Sequence, residues 1–173
     1  MSRRTVFAYI VCGLIATIVQ PIVQPMSAAP ATPSLAGSWQ FTLTPTTPPT
    51  PPVVEIAGLA TFTTDGSVIE TDGSEFVPIP SATTPVARPS TPGHGIWQLA
   101  NTPITLYVQY FSLVFQADGA LYAKYVTTMF VTLNNTGDLF TGTYTTDQVI
   151  GNDTKKLSSG TVSGQLMPHV PLP

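Results

Sequence analysis

Residues 104–133 read ITLYVQYFSLVFQADGALYAKYVTTMFVTL, and this stretch decides the fold. Ile104 to Gln116 is dense in β-branched and aromatic residues, which favour a pleated, half-buried backbone. Ala120 to Leu133 has the same character. Between them stands Ala117-Asp118-Gly119, where Asp can bond its own turn and Gly tolerates positive φ. The stretch predicts two long antiparallel strands joined by a tight hairpin.

The pattern extends both ways. Upstream, Trp39, Phe41 and Leu43 alternate with Gln40 and Thr42 as in a half-buried strand. Thr44 to Pro52 holds only Thr and Pro and predicts a loop. Val54 to Thr63 and Val68 to Thr71 predict a hairpin around Thr64-Asp65-Gly66-Ser67. Asp72 to Pro92, with five prolines from Pro78 on, predicts a loop long enough to serve as a lid. Gly93 to Ala100 predicts a fourth strand. Downstream, Asn134-Asn135-Thr136-Gly137 turns the chain, Leu139 to Thr146 predicts a seventh strand and Leu157 to Met167 an eighth. No helical stripe of useful length follows the N-terminal segment. Eight strands joined mostly by hairpins predict an all-β, eight-stranded antiparallel up-and-down barrel, with a β-sandwich as the alternative. Closure is preferred because it removes two exposed edges.

Composition agrees. Only 9% of the 173 residues are charged, against about a quarter in ordinary globular domains, so Thr, Ser and Asn must make the surface polar. The N-terminus has the parts of a secretory signal: Arg3 and Arg4, an apolar run from Phe7 to Val19, then small residues with Ala29 and Ala31 in the A-x-A arrangement. The expected division is a signal peptide over residues 1–31 and a single domain over 32–173. Ser2-Arg3-Arg4-Thr5-Val6 partly matches a twin-arginine signal, so the export route stays open. The expected location is secreted or periplasmic. Cleavage removes two of six cationic residues and none of nine acidic ones, leaving 4 − 9 = −5. Four cations with no basic stripe argue against nucleic acid as a partner, and the same shortage argues against a membrane surface after cleavage. The one cysteine, Cys12, lies in the signal, so the mature chain has neither disulfide nor thiolate. Asn134-Asn135-Thr136 and Asn152-Asp153-Thr154 match the glycosylation sequon.

Gly37-Ser38-Trp39 at the start of the first strand resembles the G-x-W signature of lipocalins and related calycin barrels, and Thr146-Asp147 resembles the start of their T-D-x motif between later strands. The resemblance implies an eight-stranded barrel with an apolar cup, in which Trp39 closes the floor. The chain departs from the family in having no arginine after Arg88 to pack across that tryptophan.

Candidate site residues follow from alternation. Trp39, Trp97, Tyr107, Tyr125, Met129, Phe140 and Tyr144 are the candidate ligand-binding residues of an apolar cup. Tyr107, Tyr110, Phe111, Phe115, Tyr122 and Tyr125 form the densest aromatic cluster, which on an outer face would instead stabilise strand pairs. Candidate catalytic residues are His94, held between Gly93 and Gly95, with Glu70 and Tyr125. Glu70, Asp72 and Glu75 form an acidic cluster lacking the spacing of a calcium loop. His94 and His169 are the only histidines, too few for a zinc site, and no cofactor or metal is expected. Three functions remain: an exported barrel binding a small apolar molecule, which is the preferred reading; a cyclase- or isomerase-type enzyme using the same cavity; and a structural or adhesive surface domain without one. A buried, hydrogen-bonded titratable pair in one pocket would favour the enzyme, and a filled core the structural domain. Oligomeric state is not legible.

Overall fold

A computed structural model describes residues 33–47, 55–73, 90–100 and 105–168. The expected signal peptide, most of the Thr/Pro-rich segment and the interior of the long loop, with Glu75 and Arg88, lie outside the described residues, as does His169.

The described chain forms eight strands, β1 (Gly37–Thr47), β2 (Ile56–Phe62), β3 (Ser67–Asp72), β4 (Gly93–Leu99), β5 (Thr105–Phe115), β6 (Leu121–Leu133), β7 (Leu139–Ile150) and β8 (Asp153–Leu166). Each pairs antiparallel with the next, and β8 returns to β1, so the sheet is a closed barrel in sequence order. The sandwich alternative is excluded by that closure.

Three boundaries differ from the sequence expectation, each for a reason visible in the ladder. Thr44 to Thr47 belongs to β1 rather than to a loop. Among the described residues, pairing with β2 is seen as far as Leu43 opposite Ile56, while pairing with β8 runs on to Thr47 with a register shift between Pro45 and Thr47. A bulge is where proline is tolerated in a ladder. β7 runs on to Ile150, and β8 starts at Asp153. The polar residues from Asp147 to Lys156 thereby form the exposed end of the β7–β8 hairpin, turned at Gly151 with φ +59°. Thr146-Asp147, expected between strands, lies inside β7 at a register shift opposite β8.

Alternation divides the barrel wall. Trp39, Phe41, Leu43, Ala60, Phe62, Val68, Leu106, Val108, Met129, Val131, Phe140 and Val162 are buried inside. Outside, β7, β8 and β1 present Gln40, Thr141, Thr143, Thr161, Ser163 and Gln165 to solvent. The outer face of β3 to β6 is more apolar, with Ile69, Ile96, Phe111 and Phe130 about half exposed and the Lys124 ammonium 5.8 Å from the Phe111 ring centroid.

Candidate functional site

The two ends of the interior differ in chemistry. One end is formed by the start of β1, the β2–β3 and β6–β7 turns, and the end of β8. Leu35, fully buried, enters it ahead of β1. The Trp39 indole Nε1 donates to the Leu35 carbonyl at 2.7 Å, and its ring lies 5.1 Å from that of Phe140. Met129, Val131 and Leu106 fill the layer above. Trp97 packs against this core, and its Nε1 donates to the Thr63 carbonyl at 2.8 Å, which ties β4 to the β2–β3 turn. This floor is closed by side chains.

The opposite end receives the long β3–β4 connection and is polar. A cavity there is lined by Leu43 and Ile56, by Glu70 and Asp72, by Tyr110, Tyr125 and Tyr144, and by Ser and Thr side chains that include Ser90 and Thr91. Its volume is about 20 Å³, room for about one water or one ligand atom of that size. Two hydroxyl pairs brace the wall: Thr127 with Thr146 at 2.9 Å, and Tyr144 with Ser158 at 3.0 Å.

Glu70 is 5% exposed. It stands opposite Gly93 in the β3–β4 ladder, and its carboxylate occupies the space that a Cβ on Gly93 would take, with Tyr110 Cδ2 only 2.6 Å from that position. The glycine therefore lets the carboxylate lie flat against β4 beside the Tyr110 ring. Tyr110 is 4% exposed, and its hydroxyl is shut off from solvent without a hydrogen bond of ordinary geometry among the described residues. Burial, then the Glu70 and Asp72 carboxylates, hold the Tyr110 phenol well above the ordinary tyrosine value. The Thr127 hydroxyl, paired with Thr146, lies near enough to pull the phenol downward, more weakly than burial and the carboxylates push it up. Burial also raises Tyr144, against the opposing pull of its bond to Ser158.

Of the candidate residues, the structure brings Glu70, Tyr125 and Tyr144 together at this cavity. Trp39, Met129 and Phe140 are in the packed floor, and Trp97 is at its rim. Tyr107 stands on the outer face, its ring edge-on to Phe130 at 5.5 Å. His94 is exposed on that face too, opposite Ile69 on one side and Phe111 on the other. Ser112, Thr127, Thr146 and Ser158 are not among the sequence candidates, and Tyr110 is there only as a member of the aromatic cluster. Inward parity from Leu106 and Val108 carries to Tyr110 and Ser112, the signal in the sequence for those two.

Two expectations follow from Tyr110. Replacing a buried hydroxyl that lacks a partner by an apolar group of the same shape is neutral or stabilising. Tyr110→Phe is expected to leave stability unchanged or raise it by about 1 kcal/mol, measured by urea denaturation. A loss of more than about 1 kcal/mol would reveal a hydrogen bond of ordinary net worth. In alkali, the raised phenol favours the folded state fully below the unfolded value of about 10, and this stabilisation is lost as pH rises through the folded value. Tyrosinate absorbance should therefore show Tyr110 ionising last, in step with unfolding, and Tyr110→Phe should remove that final step.

Comparison of the chain with protein-family models, with curated proteins and with solved structures returned no match. The fold and site thus define a class only: a closed eight-stranded antiparallel barrel with a packed floor and one polar, carboxylate-bearing end.

Proposed function

We propose that this is an exported, lipocalin-like barrel that binds a small molecule at the polar end of its interior. The observation that carries the reading is the buried Tyr110 hydroxyl facing a cavity beside a buried carboxylate. Burying a phenol hydroxyl without a hydrogen bond costs free energy that an apolar side chain would not, which supports a use for the Tyr110 hydroxyl beyond packing. The molecule enters where the β3–β4 connection begins and ends, at Asp72 and Ser90. Leu43 and Ile56 give its apolar part a wall, while Trp39, Phe140 and Met129 act as a floor rather than as ligand contacts. The apolar interior and the threonine-bearing outer face of β7, β8 and β1 are opposite to the pattern of a membrane-spanning barrel, which supports a protein released from the membrane after export. The more apolar outer face is confined to β3 to β6.

Catalysis of cyclase or isomerase type is the second reading. Glu70 and Tyr110 share one cavity, but they do not form the hydrogen-bonded titratable pair that would mark an acid–base site. Binding is therefore preferred. Native mass spectrometry of the full-length chain, purified after export, tests the proposal: a retained small molecule released on unfolding is the expected result. A bare polypeptide mass, together with no uptake of small amphiphilic fluorophores, would favour a structural barrel. The same mass would place the cleavage site, expected after Ala31.

A further inference from the structure

We propose that the barrel admits its ligand through a seam in its wall: the upper end of β3, Glu70 to Asp72, swings away from β4 while the turn at the other end of β3 stays fixed. The seam presupposes the binding reading above and names the moving part of that site.

Three observations converge on it. The first is size. The cavity of about 20 Å³ is the space of about one water, so a molecule of several heavy atoms enters only if a wall moves. The second is the ladder. β5 pairs with β6 from Thr105 to Phe115, and β7 with β8 from Leu139 to Ile150. Among the described residues, β3 pairs with β4 only from Ser67 opposite Ile96 to Glu70 opposite Gly93. There the two sides part. β3 runs on to Asp72 against β2. Ser90 and Thr91, ahead of β4, turn instead to β5. Ser90 bridges Val114, the Thr91 backbone N–H donates to the Leu113 carbonyl at 2.9 Å, and the Leu113 N–H donates to the Thr91 hydroxyl at 3.0 Å. Asp72 on one side of the seam and Ser90 and Thr91 on the other all line the cavity, so the seam leads into it. The third is the fastening. At the floor end, Trp97 donates from its backbone N–H to the Gly66 carbonyl at 2.7 Å and from its indole to the Thr63 carbonyl at 2.8 Å, and Phe62 and Val68 are buried in the core. That end is a pivot. At the polar end the last pair is Glu70 and Gly93, where the Glu70 side chain fills the space over the glycine beside the Tyr110 ring. The part played here by Glu70 is steric and needs no free charge. Local opening takes place where few ladder bonds and few buried apolar contacts oppose it, and the upper end of β3 is such a place.

Locking the seam tests it. Ile69 and His94 are opposed across β3 and β4 on the outer wall, away from the cavity. Opposed Cα atoms in an antiparallel pair lie about 4.5–5.5 Å apart, within reach of a disulfide. Ile69→Cys with His94→Cys, in a full-length chain that also carries Cys12→Ala, should form one removable cross-link. The control is Thr141→Cys with Ser163→Cys, likewise opposed on the outer face of β7 and β8, in the same Cys12→Ala chain. The probe is N-phenylnaphthylamine, an uncharged fluorophore. The oxidised seam variant is expected to take it up at least about tenfold more slowly than the reduced form, because the lock withdraws the open population on which entry depends. The control should be indifferent to reduction. Amide hydrogen exchange gives a reading independent of any ligand. Amides of Glu70 to Asp72 should exchange at least about tenfold faster than those in the middle of β6 and β7, and the oxidised lock should remove that difference. Gly93→Ala, which sets a Cβ against Glu70 and Tyr110, should speed the exchange further. Equal uptake by the oxidised and reduced seam variant overturns the seam as the route of entry and leaves the binding reading standing. Exchange at Glu70 to Asp72 as slow as in β6 overturns it as well, whatever the probe does, and needs no variant to fold. If the probe enters neither form while native mass spectrometry still finds a retained molecule, fast exchange that the lock suppresses supports the seam and slow exchange overturns it. If the probe enters neither form and the exported chain is bare, the seam and the binding reading fail together.

Discussion

Trp39→Ala should leave the barrel at the edge of folding. Trp39 is 1% exposed and is the largest fully buried side chain, and it closes the end of the barrel that contains no polar cavity. Truncating a buried aromatic to alanine removes its transfer free energy and leaves a void, costing about 3–5 kcal/mol. A further loss comes from the Leu35 carbonyl, which now receives the indole N–H at 2.7 Å and would be left in an apolar site at a cost of about 1–3 kcal/mol. Domains of this size are stable by about 5–15 kcal/mol, so the sum takes most of a typical margin. The measurement is a urea denaturation midpoint by tryptophan fluorescence, with Trp97 as the remaining reporter. Trp39→Phe refines the argument: it restores most of the packing against Phe140 but not the hydrogen bond, so its midpoint should fall between wild type and Trp39→Ala. If the two variants lose equal stability, the hydrogen bond to Leu35 outweighs the packing and the floor is held by polarity rather than by volume.

The strand count and the hairpin order were legible because turn residues sit at regular intervals and alternation is clean where one face is buried. Trp39, Phe41 and Leu43 show this well, all three being buried inside as their period predicts. Closure was legible only indirectly, through the need to hide two edges. What was not legible lies where local pattern and tertiary pairing disagree. Asp147 to Lys156 is polar enough to look like a loop, yet it continues the β7–β8 ladder because both faces of that hairpin end are in solvent and need no apolar residues. Pro45 looked like a breaker but occupies the bulged end of β1.

The site was half legible for a related reason. An apolar cup was expected from aromatic residues, and the aromatics do fall inside at Trp39, Phe140 and Tyr144. Whether an inward aromatic fills space or leaves it depends on the strands facing it, which no single strand's pattern reports. Phe140 lies over Gly164, and Phe41 over Gly58, so these rings are filled against by their own neighbours. His94 attracted notice through its flanking glycines, but Gly93 and Gly95 point inward and His94 therefore outward. The glycines serve the interior. Gly93 leaves room for Glu70, and Gly95 leaves room for β5 itself.

That last role gives the second large expected effect, and it ties the wall of the barrel to its site. A Cβ on Gly95 would fall well inside contact distance of the Gln109 carbonyl oxygen and 2.5 Å from Tyr110 Cα. Both are backbone atoms of β5, held by pairing with β4 on one side and β6 on the other, so no side-chain rotation relieves the clash. Overpacking ordinarily costs about 1–3 kcal/mol, occasionally more; with only backbone to move, Gly95→Ala should reach or exceed the top of that range. Ile96→Ala, next in sequence but about half exposed on the outer face, should change stability by no more than about 0.5 kcal/mol, which isolates the effect from any general sensitivity of β4. The residue displaced by the clash is Tyr110, opposite Gly95 in the ladder. Gly95→Ala is therefore expected to lower stability and also to open the Tyr110 phenol to water, so that its ionisation in alkali returns toward the ordinary tyrosine value. Loss of stability with the late tyrosine step intact would mean that β4 yields instead of β5, and that the polar end is buttressed independently of the wall beneath it.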